Sequence, residues 1–259
     1  MERIKELREI CQSDKRKHRS LSDWGYLQHR KFSIYITFAL LKIFGRKINP
    51  NCVSVFNLLF GMALLWLIAT AKSQPFFVLL MLLFYFSFLL DKVDGEIARY
   101  QKRATLKGVY LDEIYHSFVL NGFILAVAAS RGFLFLGVAG FFLFFLNRYL
   151  HKIRYFIYAQ KYKSNRDKFL IDKDLSKPER WLVGFLNLLP VKLSSLARRQ
   201  DIFWFLVVIV SVFFFESAPV WFWLLVFWLT MSAVYFLRFL FLHYFLIDSD
   251  IQLIDQNKL

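Results

Sequence analysis

Long apolar stretches alternate with short polar connections along most of the chain. A helix needs about 20 mostly apolar residues to cross the hydrocarbon core of a bilayer. We predict six spanning helices, of which the fifth is short, at residues 52–71, 75–98, 108–130, 132–156, 202–215 and 219–245. The pattern therefore predicts an all-α integral membrane protein.

The region before the first predicted span has a different pattern. Residues 1–31 are polar and basic, and the apolar part of segment 32–47 is too short to cross a bilayer. A segment of this kind favours an amphipathic helix that lies in the headgroup layer. We predict a basic N-terminal region with an interfacial helix (1–48), a six-helix membrane domain (49–248) and a cytoplasmic tail (249–259). The short apolar segment 181–189 is predicted to lie in the interface as well.

Composition and charge agree with a membrane protein. The 259 residues are 58% hydrophobic and include 32 Phe, more apolar surface than a soluble domain of this length usually buries. The net charge is +15, and the basic residues are concentrated in the connections on one side and at the N-terminus. By the positive-inside rule that side is cytoplasmic. We predict a multi-pass protein, with a bacterial inner membrane as its location and no nucleic-acid partner. Cys11 and Cys52 lack metal-ligand spacing and are predicted to be free thiols.

Acidic residues are concentrated where the second predicted span meets the third. Asp91 and Asp94 lie three residues apart on one helix face, and Asp112 and His116 lie four residues apart on the next helix. The connection between these spans is short, so the helices are antiparallel neighbours and their polar faces can meet. Carboxylates grouped near lipid need a cation. Hard oxygen ligands suit Mg²⁺, Mn²⁺ or Ca²⁺.

Small residues surround these acids. Gly95, Ala98 and Gly108 leave room for a bulky ligand to approach the backbone. A magnesium ion held by a few carboxylates commonly binds substrate phosphates. The residues therefore predict a metal–phosphate site that opens to the cytoplasm.

The spacing from Asp91 to His116 is D-x2-D-G-x2-A-R-x8-G-x3-D-x3-H. It resembles the signature of the CDP-alcohol phosphotransferase (CDP-alcohol phosphatidyltransferase) family, D-x2-D-G-x2-A-R-x8-G-x3-D-x3-D. Every specified position matches except the last, where His116 stands in place of Asp. The segment NPNCVSVFNLLFG at 49–61 resembles the start of the family's first span, and the six-span layout is similar.

The resemblance implies an enzyme. Members transfer a phospho-alcohol group from a CDP-alcohol to an acceptor hydroxyl, release CMP and form a phosphodiester in phospholipid or related lipid synthesis. The implied cofactor is Mg²⁺ or Mn²⁺, bound by Asp91, Asp94 and Asp112. A CDP-alcohol donor, an alcohol or lipid acceptor and a second copy of the chain in a homodimer are the implied partners.

The resemblance also assigns a nucleotide site. The motif's small residues border the nucleotide, and Arg99 orients an acid or touches phosphate. Asn57 in the first span either reaches the nucleotide or bonds a neighbouring helix. The predicted nucleotide-binding residues are Asp94, Gly95, Ala98, Arg99, Thr105, Gly108 and Asn57.

His116 has three alternative interpretations. It is the general base, because a neutral imidazole accepts a proton readily near neutral pH. It is a metal ligand or a contact for an acceptor phosphate. Or it marks lost activity, and the protein is a membrane scaffold that binds nucleotide and metal.

Two arginines are candidates for the acceptor site. Arg148 and Arg238 lie in the later spans, either as contacts for an acceptor phosphate or as snorkelling anchors. An intramembrane prenyltransferase is a rival enzyme class, but it normally has a second acidic motif, and the fifth and sixth predicted spans carry none.

Overall fold

The computed structural model describes residues 4–17, 24–161 and 200–256. These residues form helices and no strands. In chain order the helices are α1 (Ile4–Lys17), α2 (Trp24–Phe44), α3 (Pro50–Thr70), α4 (Gln74–Tyr100), α5 (Leu106–Ile114), α6 (Asn121–Ser130), α7 (Leu134–Lys161), α8 (Gln200–Phe213) and α9 (Ala218–Gln256). A 3₁₀ turn follows α2, and a π-helical segment, Tyr115–Leu120, joins α5 to α6.

Four helical segments among the described residues are long and apolar enough to cross a membrane. They are Pro50–Thr70, Gln74–Tyr100, Leu106–Ser130 and Ala218–Leu237. The prediction of six spans is not confirmed. The apolar part of α7 ends at Leu150, where charged residues follow, and α8 has only 14 residues. At 1.5 Å per residue, α8 is about 21 Å long, less than the hydrocarbon core of about 30 Å.

The first and third spans begin side by side. Asn49 caps α3 by accepting from the backbone nitrogen of Asn51 at 3.0 Å. Thr105 caps α5 by accepting from the backbone nitrogen of Gly108 at 3.1 Å. The Thr105 hydroxyl also donates to Asn51 Oδ1 at 3.1 Å, so the two helix starts are bonded to each other.

Close packing brings the first span against the third. A Cβ on Gly61 would lie 2.6 Å from a Val119 methyl group, and a Cβ on Gly122 would lie 2.7 Å from Leu65 Cδ1. Only glycine fits where helices approach this closely. The contact places α3 beside the π-helical segment and α6, and the second span packs between α3, α2 and α8.

Arg131 ties the helix connections together at the other end of the spans. Its guanidinium donates to the carbonyl of Ala71 at 3.2 Å and to that of Phe215 at 3.3 Å. The guanidinium carbon also lies 4.0 Å from the centre of the Phe215 ring and 4.9 Å from that of Phe77. One cation therefore stabilises three connections through hydrogen bonds and cation–π contacts.

The predicted interfacial helix at the N-terminus is not confirmed. Most of segment 32–47 belongs to α2, which packs against α4 and buries Ser33, Ile34 and Thr37. α1 packs against α4 as well, with Leu7 and Cys11 buried. The hydroxyls of Ser33 and Thr37 are buried because they donate to Glu96 on α4, which is described below. The predicted interfacial segment 181–189 lies outside the described residues.

Candidate active site

Asp91, Asp112 and His116 meet between α4 and the third span. One potential ligand atom from each lies within 4.8 Å of the others. His116 Nε2 is 3.7 Å from Asp91 Oδ2, and Nδ1 is 3.5 Å from Asp112 Oδ1. Ligand atoms about 2.1 Å from an octahedral ion stand up to about 4.2 Å apart, so small side-chain rotations suffice to hold one. Three of the four predicted metal residues are thus brought together.

The backbone determines which nitrogen of His116 is available. Nδ1 lies 2.8 Å from the carbonyl oxygen of Asp112. Because a carbonyl only accepts, this hydrogen bond needs the proton on Nδ1 and leaves the lone pair on Nε2. That lone pair is on the side of Asp91. The π-helical segment starts at Tyr115, beside this histidine, and such segments are frequent at functional sites.

Asp94, the fourth predicted metal residue, is bonded elsewhere. Ser54 Oγ on α3 donates to its Oδ2 at 2.5 Å, and the backbone nitrogen of Gly95 donates to its Oδ1 at 2.5 Å. Asp94 therefore lies outside the group formed by Asp91, Asp112 and His116. Sequence reasoning missed Ser54, whose only signal is its position one turn after the start of α3.

Lys92 is a second residue that sequence reasoning missed. Its ammonium group is paired with Asp91 Oδ2, and its side chain is 21% exposed. Lys92 occupies an unspecified position of the D-x2-D motif, and its place between the two acids was the signal that could have identified it. It places a fixed positive charge on the most buried carboxylate of the group.

Apart from Asn57, the predicted nucleotide residues occupy two places. The Arg99 guanidinium lies over Gly95, with Nη1 only 3.3 Å from where a Cβ on the glycine would stand. Nη2 of Arg99 is buried and has no hydrogen-bond partner among the described residues. Ala98, which precedes Arg99 in the chain, is partly buried. Thr105 and Gly108 lie at the exposed start of α5, where Thr105 serves as the cap.

Asn57 bonds a neighbouring helix. It is buried, and its side-chain oxygen accepts from Ser87 Oγ at 2.8 Å. The same hydroxyl lies 2.8 Å from the Tyr115 hydroxyl. Since Ser87 is one turn before Asp91 and Tyr115 precedes His116, this buried network joins three spans directly beside the site.

Arg148, a predicted acceptor residue, forms a bidentate pair. Its Nε lies 2.6 Å and its Nη2 3.0 Å from the two oxygens of Glu113. Lys152 contacts the same carboxylate at 2.5 Å. Sequence reasoning missed Glu113, although it follows Asp112 directly. Arg238 belongs to α9, but its side chain lies outside the described part of the structure.

Glu96 is the most deeply buried acid of the described residues. Its side chain is fully buried, and its carboxylate accepts three hydrogen bonds from other helices. It stands within the motif at an unspecified position, so spacing alone did not single it out. Its role is taken up below.

The fold and the site together define a helical membrane protein with an Asp/Asp/His group at the junction of two adjoining spans. A sequence model of the family described as CDP-alcohol phosphatidyltransferase matches residues 47–176, half of the chain. The matched region contains the complete stretch from Asp91 to His116. The chain belongs to the CDP-alcohol phosphatidyltransferase family, and the resemblance drawn from the motif is confirmed.

A protein from an archaeon is also similar to part of the chain. The chain is 36% identical over 93 residues to the bifunctional IPC transferase and DIPP synthase of Archaeoglobus fulgidus. The similarity covers 35% of this chain, which spans 17% of the length of that relative. The family and the relative are the basis of the function proposed below.

Proposed function

We propose that this protein transfers a phospho-alcohol group from a CDP-alcohol to an acceptor hydroxyl, with release of CMP, and that it requires Mg²⁺ or Mn²⁺. The observation that carries the proposal is the approach of Asp91, Asp112 and His116 to within 4.8 Å of one another at the family motif. The buried Nη2 of Arg99 has no hydrogen-bond partner in the described part of the chain, which supports an anionic ligand beside the motif helix.

The donor set suits a hard divalent ion. Asp91 and Asp112 would hold it, and Asp94 would join them by exchanging the Ser54 hydroxyl for the ion. Such ions keep several sites for water and substrate phosphates, so few protein ligands are needed. When bound, the ion neutralises charge on the pyrophosphate and on the departing CMP.

His116 acts as the general base in this proposal. The acceptor oxygen forms a bond to the β-phosphorus while the bond from that phosphorus to the CMP oxygen breaks, and CMP leaves with the electron pair. The hydroxyl proton moves to Nε2 of His116, because Nδ1 already carries a proton bonded to the Asp112 carbonyl. Arg99 donates from Nη2 to a phosphate oxygen. Positioning and charge stabilisation supply most of the rate in phosphoryl transfer.

The acceptor site and the cellular setting belong to the same proposal. Arg148 and Arg238 are the proposed acceptor contacts, and Arg148 would bind an acceptor phosphate by exchanging the Glu113 carboxylate for it. The basic connections support a site on the cytoplasmic face of the membrane, and a bacterial inner membrane is the proposed location. A homodimer is proposed from the family resemblance.

A donor and acceptor screen tests the proposal. The purified protein is mixed with CDP-alcohols, candidate acceptors and Mn²⁺ or Mg²⁺, and CMP and lipid products are measured by mass spectrometry. We expect CMP release that depends on the metal and is absent in Asp91→Asn. Glu216→Gln, an exposed acid at the opposite end of the spans, is the matched control. Binding of CMP without turnover on any donor would instead favour the scaffold interpretation.

A further inference from the structure

Helix α4 carries a carboxylate that the proposed reaction does not use. Glu96 is fully buried two residues after Asp94. Its Oε1 accepts from Gln12 Nε2 and Ser33 Oγ, and its Oε2 accepts from Thr37 Oγ1, each at 2.7 Å. Gln12 belongs to α1, and the two hydroxyls belong to α2. Glu96 therefore joins both N-terminal helices to the helix that bears the motif.

Helix α1 in turn contacts Arg99. Cys11 precedes Gln12, and its thiol lies 3.3 Å from the backbone oxygen of Glu96. The carbonyl oxygen of Cys11 accepts from Arg99 Nε at 2.6 Å. The orientation of the guanidinium thus depends on where α1 sits, and the position of α1 depends on Glu96.

The guanidinium oriented in this way faces the proposed nucleotide site. It lies over Gly95, the residue that follows Asp94. Nη2 is buried and unpartnered among the described residues, and a buried donor of this kind suits a phosphate oxygen. A shift of α1 would move the Cys11 carbonyl, to which Arg99 Nε donates.

We propose that Glu96 is a positioning residue, which holds α1 in place so that the Cys11 carbonyl directs Arg99 toward a phosphate of the bound nucleotide. The proposal rests on the proposed function, since the anion is part of the CDP-alcohol. Both N-terminal helices precede residue 47, where the family match begins. Of the residues in this arrangement, only Glu96 and Arg99 lie inside the matched region.

The first experiment measures docking of α1 without any nucleotide. Cys11 is 1% exposed and Cys52 is exposed, and the chain has two cysteines, so Cys52→Ser leaves one buried thiol. We expect maleimide to label Cys11 at least about tenfold faster in Glu96→Gln. The carboxamide offers one acceptor oxygen to three donors and removes the charge that lies 3.9 Å from Arg30 Nη1. Glu216→Gln should label at the rate of the parent. An unchanged rate in Glu96→Gln would overturn the docking step.

The second experiment measures nucleotide binding by calorimetry with CMP and Mn²⁺. Glu96→Gln should weaken CMP binding about tenfold, the size of one misplaced hydrogen bond to a charged group. Mn²⁺ affinity, followed by electron paramagnetic resonance, should stay within twofold. In the Arg99→Ala background the Glu96→Gln change should have no further effect, because both act through one guanidinium. Independent, additive losses would show a merely structural role and overturn the proposal.

One further variant protects the test. If the Glu96 variant does not fold, Gln12→Ala takes its place, because it removes a donor on α1 and should show the same weaker CMP binding. A wild-type protein that binds no CMP would overturn the proposed function and the role of Arg99 with it, whereas Cys11 labelling still reports the docking of α1 separately.

Discussion

Replacing His116 by glutamine tests the proposed chemistry most sharply. Glutamine can still bond through its amide but cannot accept a proton near neutral pH. Loss of the 2.8 Å hydrogen bond to the Asp112 carbonyl costs about 0.5–1.5 kcal/mol, which alone lowers a rate by no more than about tenfold. Loss of a general base lowers kcat by about 10²- to 10⁴-fold. The rate loss expected for a purely structural histidine and the loss expected for a general base therefore differ by at least about an order of magnitude.

The assay is CMP release in a single turnover at saturating Mn²⁺, with Mn²⁺ affinity measured separately. We expect His116→Gln and His116→Ala to lose at least about 10²-fold in rate with Mn²⁺ affinity changed less than tenfold. His116→Asp should retain measurable activity, because a carboxylate can also take the proton. Lys107→Gln, an exposed change on the same span, is the control. If Mn²⁺ above the concentration that saturates the parent restores the rate of His116→Gln, the base role is refuted and the histidine is a metal ligand.

Three other perturbations have distinct expected results. Lys92→Met should tighten Mn²⁺ binding severalfold, measured by electron paramagnetic resonance, because it removes the ammonium paired with Asp91. Chelation by EDTA should abolish CMP release and added Mn²⁺ or Mg²⁺ should restore it; activity that persists in EDTA would contradict the metal requirement. Arg131→Gln should destabilise the folded protein by about 2–3 kcal/mol, from two hydrogen bonds and cation–π contacts. Thermal unfolding in detergent measures that loss of stability. The affinity for CMP should not change, because Arg131 lies at the opposite end of the spans from the proposed nucleotide site.

Local patterns in the sequence were enough for the helices and the motif. Apolar stretches predicted an all-helical membrane protein. The residues that the structure describes are helical and include four helices long and apolar enough to cross a membrane. The number of spans was not predictable, because hydropathy does not state where a helix leaves the apolar layer. In α7 the helix continues to Lys161 while its apolar part ends at Leu150.

Part of the site was also predictable from the sequence, and part depended on how the helices pack. Spacing of three and four residues put Asp91, Asp112 and His116 on helix faces, and a short connection made those helices neighbours, so their meeting followed from the sequence alone. The partners of these residues did not follow. Glu96 meets Gln12 across 84 positions, and Asp94 meets Ser54 across 40. Such pairs depend on how helices pack against one another, and one helix's periodicity does not encode which polar group on another helix it will reach.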